Sequence, residues 1–190
     1  MGCPVIRLLT GTREALAAEA WGPAALGRVL GVRVPEDWPP DLHGAETVAY
    51  TLDRLTEHPA EEGWWLHYFV GEEATGPVVV GCGGFCGPPV NGVAQLGYSV
   101  LRRYRRRGYA TAATCAMVGK AFADSRVRVV LAETLPELVA SIGVLDRCGF
   151  RHSGPGEEEG TLRFELHRDT WADAPPPTPG GGGGAAGGVG

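Results

Sequence analysis

The stretch Gln95-Leu-Gly-Tyr-Ser-Val-Leu-Arg-Arg-Tyr-Arg-Arg-Arg-Gly-Tyr-Ala-Thr111 runs from a strand pattern through an arginine-rich loop into an alanine-rich helix. Gly108 stands where the loop enters that helix, and a glycine there lets the backbone come close to a ligand. The first-turn N–H groups of a helix have no intrahelical acceptor and carry the positive end of the helix dipole, so such an end binds phosphate. Alone the signal is weak, because Arg102, Arg103, Arg105, Arg106 and Arg107 could equally form a solvated basic turn or a nucleic-acid patch. Its setting between an apolar strand and a helix, on an otherwise acidic chain, favours a fixed anion cradle.

Reading outward, residues 109–123 form the helix, 127–133 a β-branched strand, and 138–147 a second helix stopped by Cys148-Gly149. A terminal hairpin pairs 150–152 with 162–167 around Glu159-Gly160. Upstream, 64–70, 78–86 and 93–101 read as three sequential antiparallel strands, with residues 71–77 and 87–92 as turn-rich spacers. Before them lie an opening strand at 4–9, a helix capped by Thr12 and running to Ala20, and a weaker helix at 24–30. A loop forced by Pro35, Pro39 and Pro40 follows, then a helix at 46–58 with Val48, Leu52 and Leu55 on one stripe. The fold class is α+β, a central mostly antiparallel sheet with helices on both faces. One domain is expected over 1–173, and the Pro/Gly-rich stretch 174–190 reads as a disordered tail, with little to bury and much backbone entropy to lose.

The chain has 190 residues, 44% of them hydrophobic, enough for one substantial core. A formal net charge of -5 gives no electrostatic reason to expect nucleic acid or anionic membrane as a partner. No apolar run approaches the roughly 20 residues of a membrane span. The N-terminus lacks a basic patch followed by an apolar stretch of ~7–15 residues, so a cytoplasmic location is expected. Cys3, Cys82, Cys86, Cys115 and Cys148 are odd in number and scattered, which argues against a disulfide framework. No His or second Cys pair completes a tetrahedral set around Cys82 and Cys86, so no metal site is expected and small buried thiols are the reading.

Arg105-Arg-Arg-Gly108-Tyr-Ala110 resembles the Arg/Gln-x-x-Gly-x-Gly/Ala motif of the GNAT acetyltransferases, and the likeness extends over residues 4–170. It is nearest the branch of Rim ribosomal-protein N-terminal acetyltransferases, because Leu96-Gly-Tyr-Ser-Val precedes the loop and Ala140-Ser141-Ile-Gly-Val-Leu-Asp-Arg-Cys-Gly149-Phe150 follows the next strand. The resemblance implies a three-layer α/β/α fold with a splayed sheet, and transfer of acetyl from acetyl-CoA to a primary amine by direct attack in a ternary complex. Backbone groups of Ser99, Val100 and Leu101 would then pair with the pantetheine arm. Amides of Arg106, Arg107, Gly108, Tyr109, Ala110 and Thr111 would hold the pyrophosphate, Arg105 would reach the adenosine phosphate, and Ser141 would bond the cofactor sulfur. The acceptor would be a protein or peptide N-terminus or a small-molecule amine, and the chain a monomer or homodimer.

Three positions depart from that pattern. Gln95 stands where many relatives have a glutamate base, Leu138 where an asparagine is frequent, and Leu145 where a tyrosine acid is frequent. That leaves Ser141 as the expected donor to the leaving thiolate. Glu133, Glu157, Glu158 and Glu159 are candidates for the base, with Glu158 taken as the catalytic one. The same departures motivate an alternative, a catalytically silent acyl-CoA-binding or sensor module. Trp38, Trp64, Trp65 and Tyr68 could line the acceptor cleft, although alternating aromatics on a strand are more often core.

Overall fold

The protein is described from a computed structural model covering residues 4–172. The expected tail at 174–190 lies outside the described residues. Strand β1 (Arg7–Thr10) turns at Gly11 into α1 (Arg13–Glu19), whose first-turn Ala15 amide donates to Thr12 Oγ1 as the sequence predicts. Helix α2 (Pro23–Leu30) carries Pro at its first turn and ends at Gly31, which takes the left-handed conformation, φ 67°. After the proline-rich loop comes α3 (Ala45–Glu57).

Strands β2 (Leu66–Glu73), β3 (Gly76–Phe85) and β4 (Val93–Val100) form the expected meander, but the first turn is shorter than the sequence suggests. The ladder runs on through Glu72↔Pro77 and Glu73↔Gly76, leaving only Ala74 and Thr75 outside it. Gly71 reads as a turn residue, yet it lies in the strand for a packing reason. A Cβ there would sit 2.6 Å from Tyr109 Cε1, so the tyrosine ring occupies the space a side chain would need.

Helix α4 (Tyr109–Ala123), β5 (Val129–Thr134), α5 (Val139–Arg147), β6 (Arg151–Pro155), β7 (Leu162–His167) and the short α6 (Arg168–Ala172) complete the order. The strands make one seven-stranded sheet in the order β1-β2-β3-β4-β5-β7-β6, antiparallel except for β4 with β5. Tyr68 of β2 reaches Glu19 of α1, while the Gly71 position, of opposite parity, meets Tyr109 of α4. Consecutive parities point to opposite sheet faces, so α1 and α4 cover different sides and the fold is layered α/β/α. Tyr68, Phe69, Val78, Val79 and Val80 are fully buried between the layers, with Leu16 and Leu26 among the buried residues of α1 and α2 and Met117 and Val118 among those of α4. Among the described residues no helix is long and apolar enough to cross a membrane.

Candidate active site

Strand β4 changes partners along its length. Residues 93–95 pair with β5 on one side, and residues 96–100 pair with β3 on the other. Beyond Gln95 and Leu131, β4 and β5 no longer pair, although both continue, so the sheet opens there. In an antiparallel ladder a residue sends its N–H and C=O to the same side, and the side alternates. Cys86 N–H donates to Gln95 O (2.9 Å) and Leu101 N–H to Val80 O (3.0 Å), which turns residues 95, 97, 99 and 101 toward β3. The backbone groups facing the opening therefore belong to Tyr98 and Val100, with Leu96 at the last rung to β5. Ser99 and Leu101, expected to offer free groups beside Val100, are directed at β3 by this two-residue alternation.

After β4 the chain makes a short 3₁₀ turn, Arg102–Tyr104, and then a tight loop in which Arg106 (φ 60°) and Gly108 (φ 84°) are both left-handed. Tyr104 and Tyr109 anchor the loop from below, buried edge to face with ring centroids 5.9 Å apart. The first backbone bond of α4 is Ala112 N–H to Gly108 O, 3.0 Å. Among the described residues no protein acceptor meets the N–H groups of Arg106, Arg107, Gly108, Tyr109, Ala110 and Thr111. Six consecutive donors at a helix start make an anion site of main-chain atoms.

The arginines divide into two groups. Arg105 turns back, Nε donating to Val100 O (3.0 Å) and a terminal nitrogen to Asp41 (2.7 Å), so its side chain braces the opened strand and is engaged away from any phosphate. Arg102 also pairs with Asp41 (3.2 Å), and Arg103 with Asp37 (3.0 Å). Arg105 foremost, then Arg102, holds the Asp41 carboxyl below its ordinary range. Arg106 and Arg107 have no acidic partner among the described residues, and Arg107 lies over the Tyr104 ring, 5.7 Å from its centroid. Arg147 of α5 reaches Thr111 Oγ1 at 3.4 Å, adding a third cation beside the donors.

Tyr98 extends from β4 to α5, its hydroxyl 3.2 Å from Ser141 Oγ and 3.3 Å from Ser141 O. Burial pushes the phenol up to about 12, against the lowering effect of the Ser141 bond, so Tyr98 stays protonated at neutral pH. Ser141 is half-buried in the first turn of α5.

The model of the acetyltransferase (GNAT) domain matches residues 11–151, most of the chain. The chain belongs to this family. The acetyltransferase also shares its fold with solved structures. Mycobacterium smegmatis RimJ in complex with CoA-disulfide is 21% identical, at a TM-score of 0.60 over 89% of this chain and 85% of that one. A spermidine N-acetyltransferase SpeG chimera from Vibrio cholerae and hSSAT is 13% identical, at 0.60 over 90% and 99%. Aminoglycoside acetyltransferase AAC(6')-Ib in complex with coenzyme A is 16% identical, at 0.56 over 89% and 98%. No curated protein sequence matches.

In this N-acetyltransferase the glutamates are unequally placed. Glu133 is nearly buried and committed: it accepts from the Glu157 amide (3.0 Å) and pairs with Arg163 (3.4 Å). Glu157 is exposed and also pairs with Arg163 (3.3 Å). Glu158 and Glu159 have exposed side chains with no partner among the described residues, and the Glu158 carbonyl is fixed by Thr161 N–H (3.1 Å) and Oγ1 (2.7 Å). Gln95 faces Cys86 where β4 and β5 part, and the Cys86 thiol is pushed up by partial burial and then by Glu133 and Glu157.

Trp38 and Tyr68 do not line an open cleft. Both are buried and donate to Glu19 (2.6 Å each), which also contacts His43 Nε2 at 2.8 Å. Two functional contributions escaped the sequence reading, the Tyr98 bridge and the Asp37/Asp41 pairing of the basic loop. A lone tyrosine between Gly97 and Ser99 on the strand entering the loop was the available signal for the first. The two aspartates of the proline-rich loop were the only signal for the second.

Proposed function

We propose that the protein transfers the acetyl group of acetyl-CoA to a primary amine, on a protein or peptide N-terminus or on a small molecule, by direct attack in a ternary complex. The observation that carries this reading is the row of six N–H groups from Arg106 to Thr111 with no acceptor among the described residues, placed beside the opened edge of β4. The pyrophosphate takes those donors, with Arg106, Arg107 and Arg147 as the cations free to approach it. The pantetheine arm lies along the outward backbone groups of Tyr98 and Val100, where β5 has diverged.

Tyr98 donates to Ser141, which leaves the serine hydrogen free to point into the cleft. As the amine nitrogen bonds to the acetyl carbon and the C–S bond breaks, Ser141 donates toward the departing thiolate and an outward N–H of β4 faces the developing oxyanion. Glu158, whose backbone is pinned, takes the amine proton. The named activities of the structural neighbours, on spermidine and aminoglycosides, and the ribosomal-protein resemblance set the acceptors to try first.

The test is release of CoA thiol from acetyl-CoA across N-terminal peptides, polyamines and aminoglycosides, with acetyl-CoA binding followed by calorimetry. Thiol release that depends on one acceptor class supports transfer. Binding with no release from any acceptor supports the silent acyl-CoA module, the reading that Gln95, Leu138 and Leu145 favour. No binding at millimolar acetyl-CoA overturns both. Gly108→Pro removes one of the six donors and is expected to weaken binding more than tenfold.

A further inference from the structure

Cys115 of α4 and Cys148, the residue that closes α5, stand with their Sγ atoms 3.1 Å apart, and Cys148 Sγ also lies 3.5 Å from Thr111 O. A disulfide bond is about 2.05 Å, so closing the pair asks for about an ångström of movement. Cys115 is half-buried, and Cys148 is 4% exposed. The neutral pair forms a relay, with Cys115 S–H directed at Cys148 and Cys148 S–H at the Thr111 carbonyl. When Cys115 ionises, the Cys148 hydrogen turns back to it, and that bond holds the Cys115 thiol below the ordinary range. Burial pushes Cys82 and Cys86 the opposite way. Of the four described thiols, Cys115 alone combines partial access, a lowered pKa and a second sulfur in contact.

We propose that Cys115 and Cys148 form a reversible disulfide on exposure to a peroxide, joining α4 to the end of α5 and loosening the phosphate cradle. The Cys115 thiolate attacks one peroxide oxygen, the O–O bond breaks with release of hydroxide, and the sulfur becomes a sulfenic acid, oxidised by two electrons. The Cys148 sulfur then attacks the Cys115 sulfur. The S–S bond forms, the S–O bond breaks, and the Cys148 proton leaves with the hydroxide as water. A low-molecular-weight thiol reverses the bond by exchange. Once oxidised, Cys148 has no hydrogen for Thr111 O, and residue 147, whose guanidinium contacts Thr111 Oγ1, is drawn with its neighbour. Thr111 carries the last of the six N–H donors, so the link acts on the cofactor turn. Bond formation is independent of the acetyltransferase reading, whereas its effect on affinity rests on it.

The test uses the full chain, reduced and then treated with one equivalent of hydrogen peroxide. The expected result is an intact mass lower by about 2 Da, a peptide pair linking Cys115 to Cys148, and acetyl-CoA affinity weaker by about tenfold, all restored by dithiothreitol. Cys115→Ser and Cys148→Ser abolish the mass loss, and Cys86→Ser retains it. Absence of the link, stable addition of about 16 Da at Cys115, or linkage through Cys86 between chains overturns the proposal. A complete link with unchanged affinity overturns the coupling to the cofactor turn. If the reduced protein fails to bind acetyl-CoA, the acetyltransferase reading fails while the bond is still read by mass.

Discussion

Tyr98 Oη stands 3.2 Å from Ser141 Oγ, so a side chain of β4 reaches the first turn of α5 and fixes the hydroxyl beside the opened strand edge. Ser141→Ala is expected to lower kcat by about 10–100-fold with little change in the KM for acetyl-CoA, because the bond to the leaving thiolate exists only as the C–S bond breaks. Tyr98→Phe keeps the ring packing and loses the orienting bond, so its kcat falls less, by about 3–10-fold. Steady-state kinetics with the best acceptor separate the two. Equal kcat for wild type and Ser141→Ala would remove serine from the mechanism.

Arg106 and Gly108 share left-handed backbone, at φ 60° and 84°, but only one is a glycine. Arg106→Gly should relieve strain and raise stability by up to about 1 kcal/mol while subtracting one cation from the cradle. Gly108→Ala does the reverse, costing about 1–2 kcal/mol, because its Cβ would also lie 2.9 Å from Pro4 Cδ. Urea unfolding of both variants checks the opposite signs.

Asp41 draws Arg102 and Arg105 away from the loop. Both guanidiniums are solvent-accessible, so Asp41→Asn should change stability by less than about 1 kcal/mol. Freed of their partner, the two arginines are expected to tighten acetyl-CoA binding several-fold at about 0.05 M salt, with the gain fading near about 0.5 M. Calorimetry at the two salt levels reads the effect. A looser complex at low salt would mean that the ion pairs shape the site.

His67 is buried on β2, and among the described residues neither ring nitrogen has a partner in good hydrogen-bond geometry. Burial foremost, then the nearby Lys120 charge, lowers it to about 4 from an ordinary 6.5. The unfolded chain takes this proton near pH 6.5 and the folded chain only near pH 4, so stability falls as the pH drops through that window and is flat above it. The loss approaches on the order of 3 kcal/mol at pH 4. Denaturation at pH 7, 5.5 and 4 should show a shallower decline in His67→Leu than in wild type.

Features encoded within a few residues were legible in the sequence. Thr12 as a helix cap, Gly108 at the head of α4 and the alternating strands of the meander are each set by local backbone chemistry. The opened sheet came from family likeness, since nothing in residues 93–101 says that β5 departs after Gln95. Side-chain partnerships between distant segments were not legible. Tyr98 meets Ser141 across 43 residues, and Arg105 meets Asp41 across 64, and composition alone does not pair one arginine with one aspartate. Gly71 shows the same limit from the other side, read as a turn until Tyr109 is seen filling its place.

The six donors of the loop belong to the main chain, and every residue but proline carries that atom. Outside the left-handed Gly108 and the buried Tyr109, substitution can therefore rewrite the side chains of this turn and leave its donors in place. A surface built this way varies its side chains while its hydrogen-bonding pattern stays fixed.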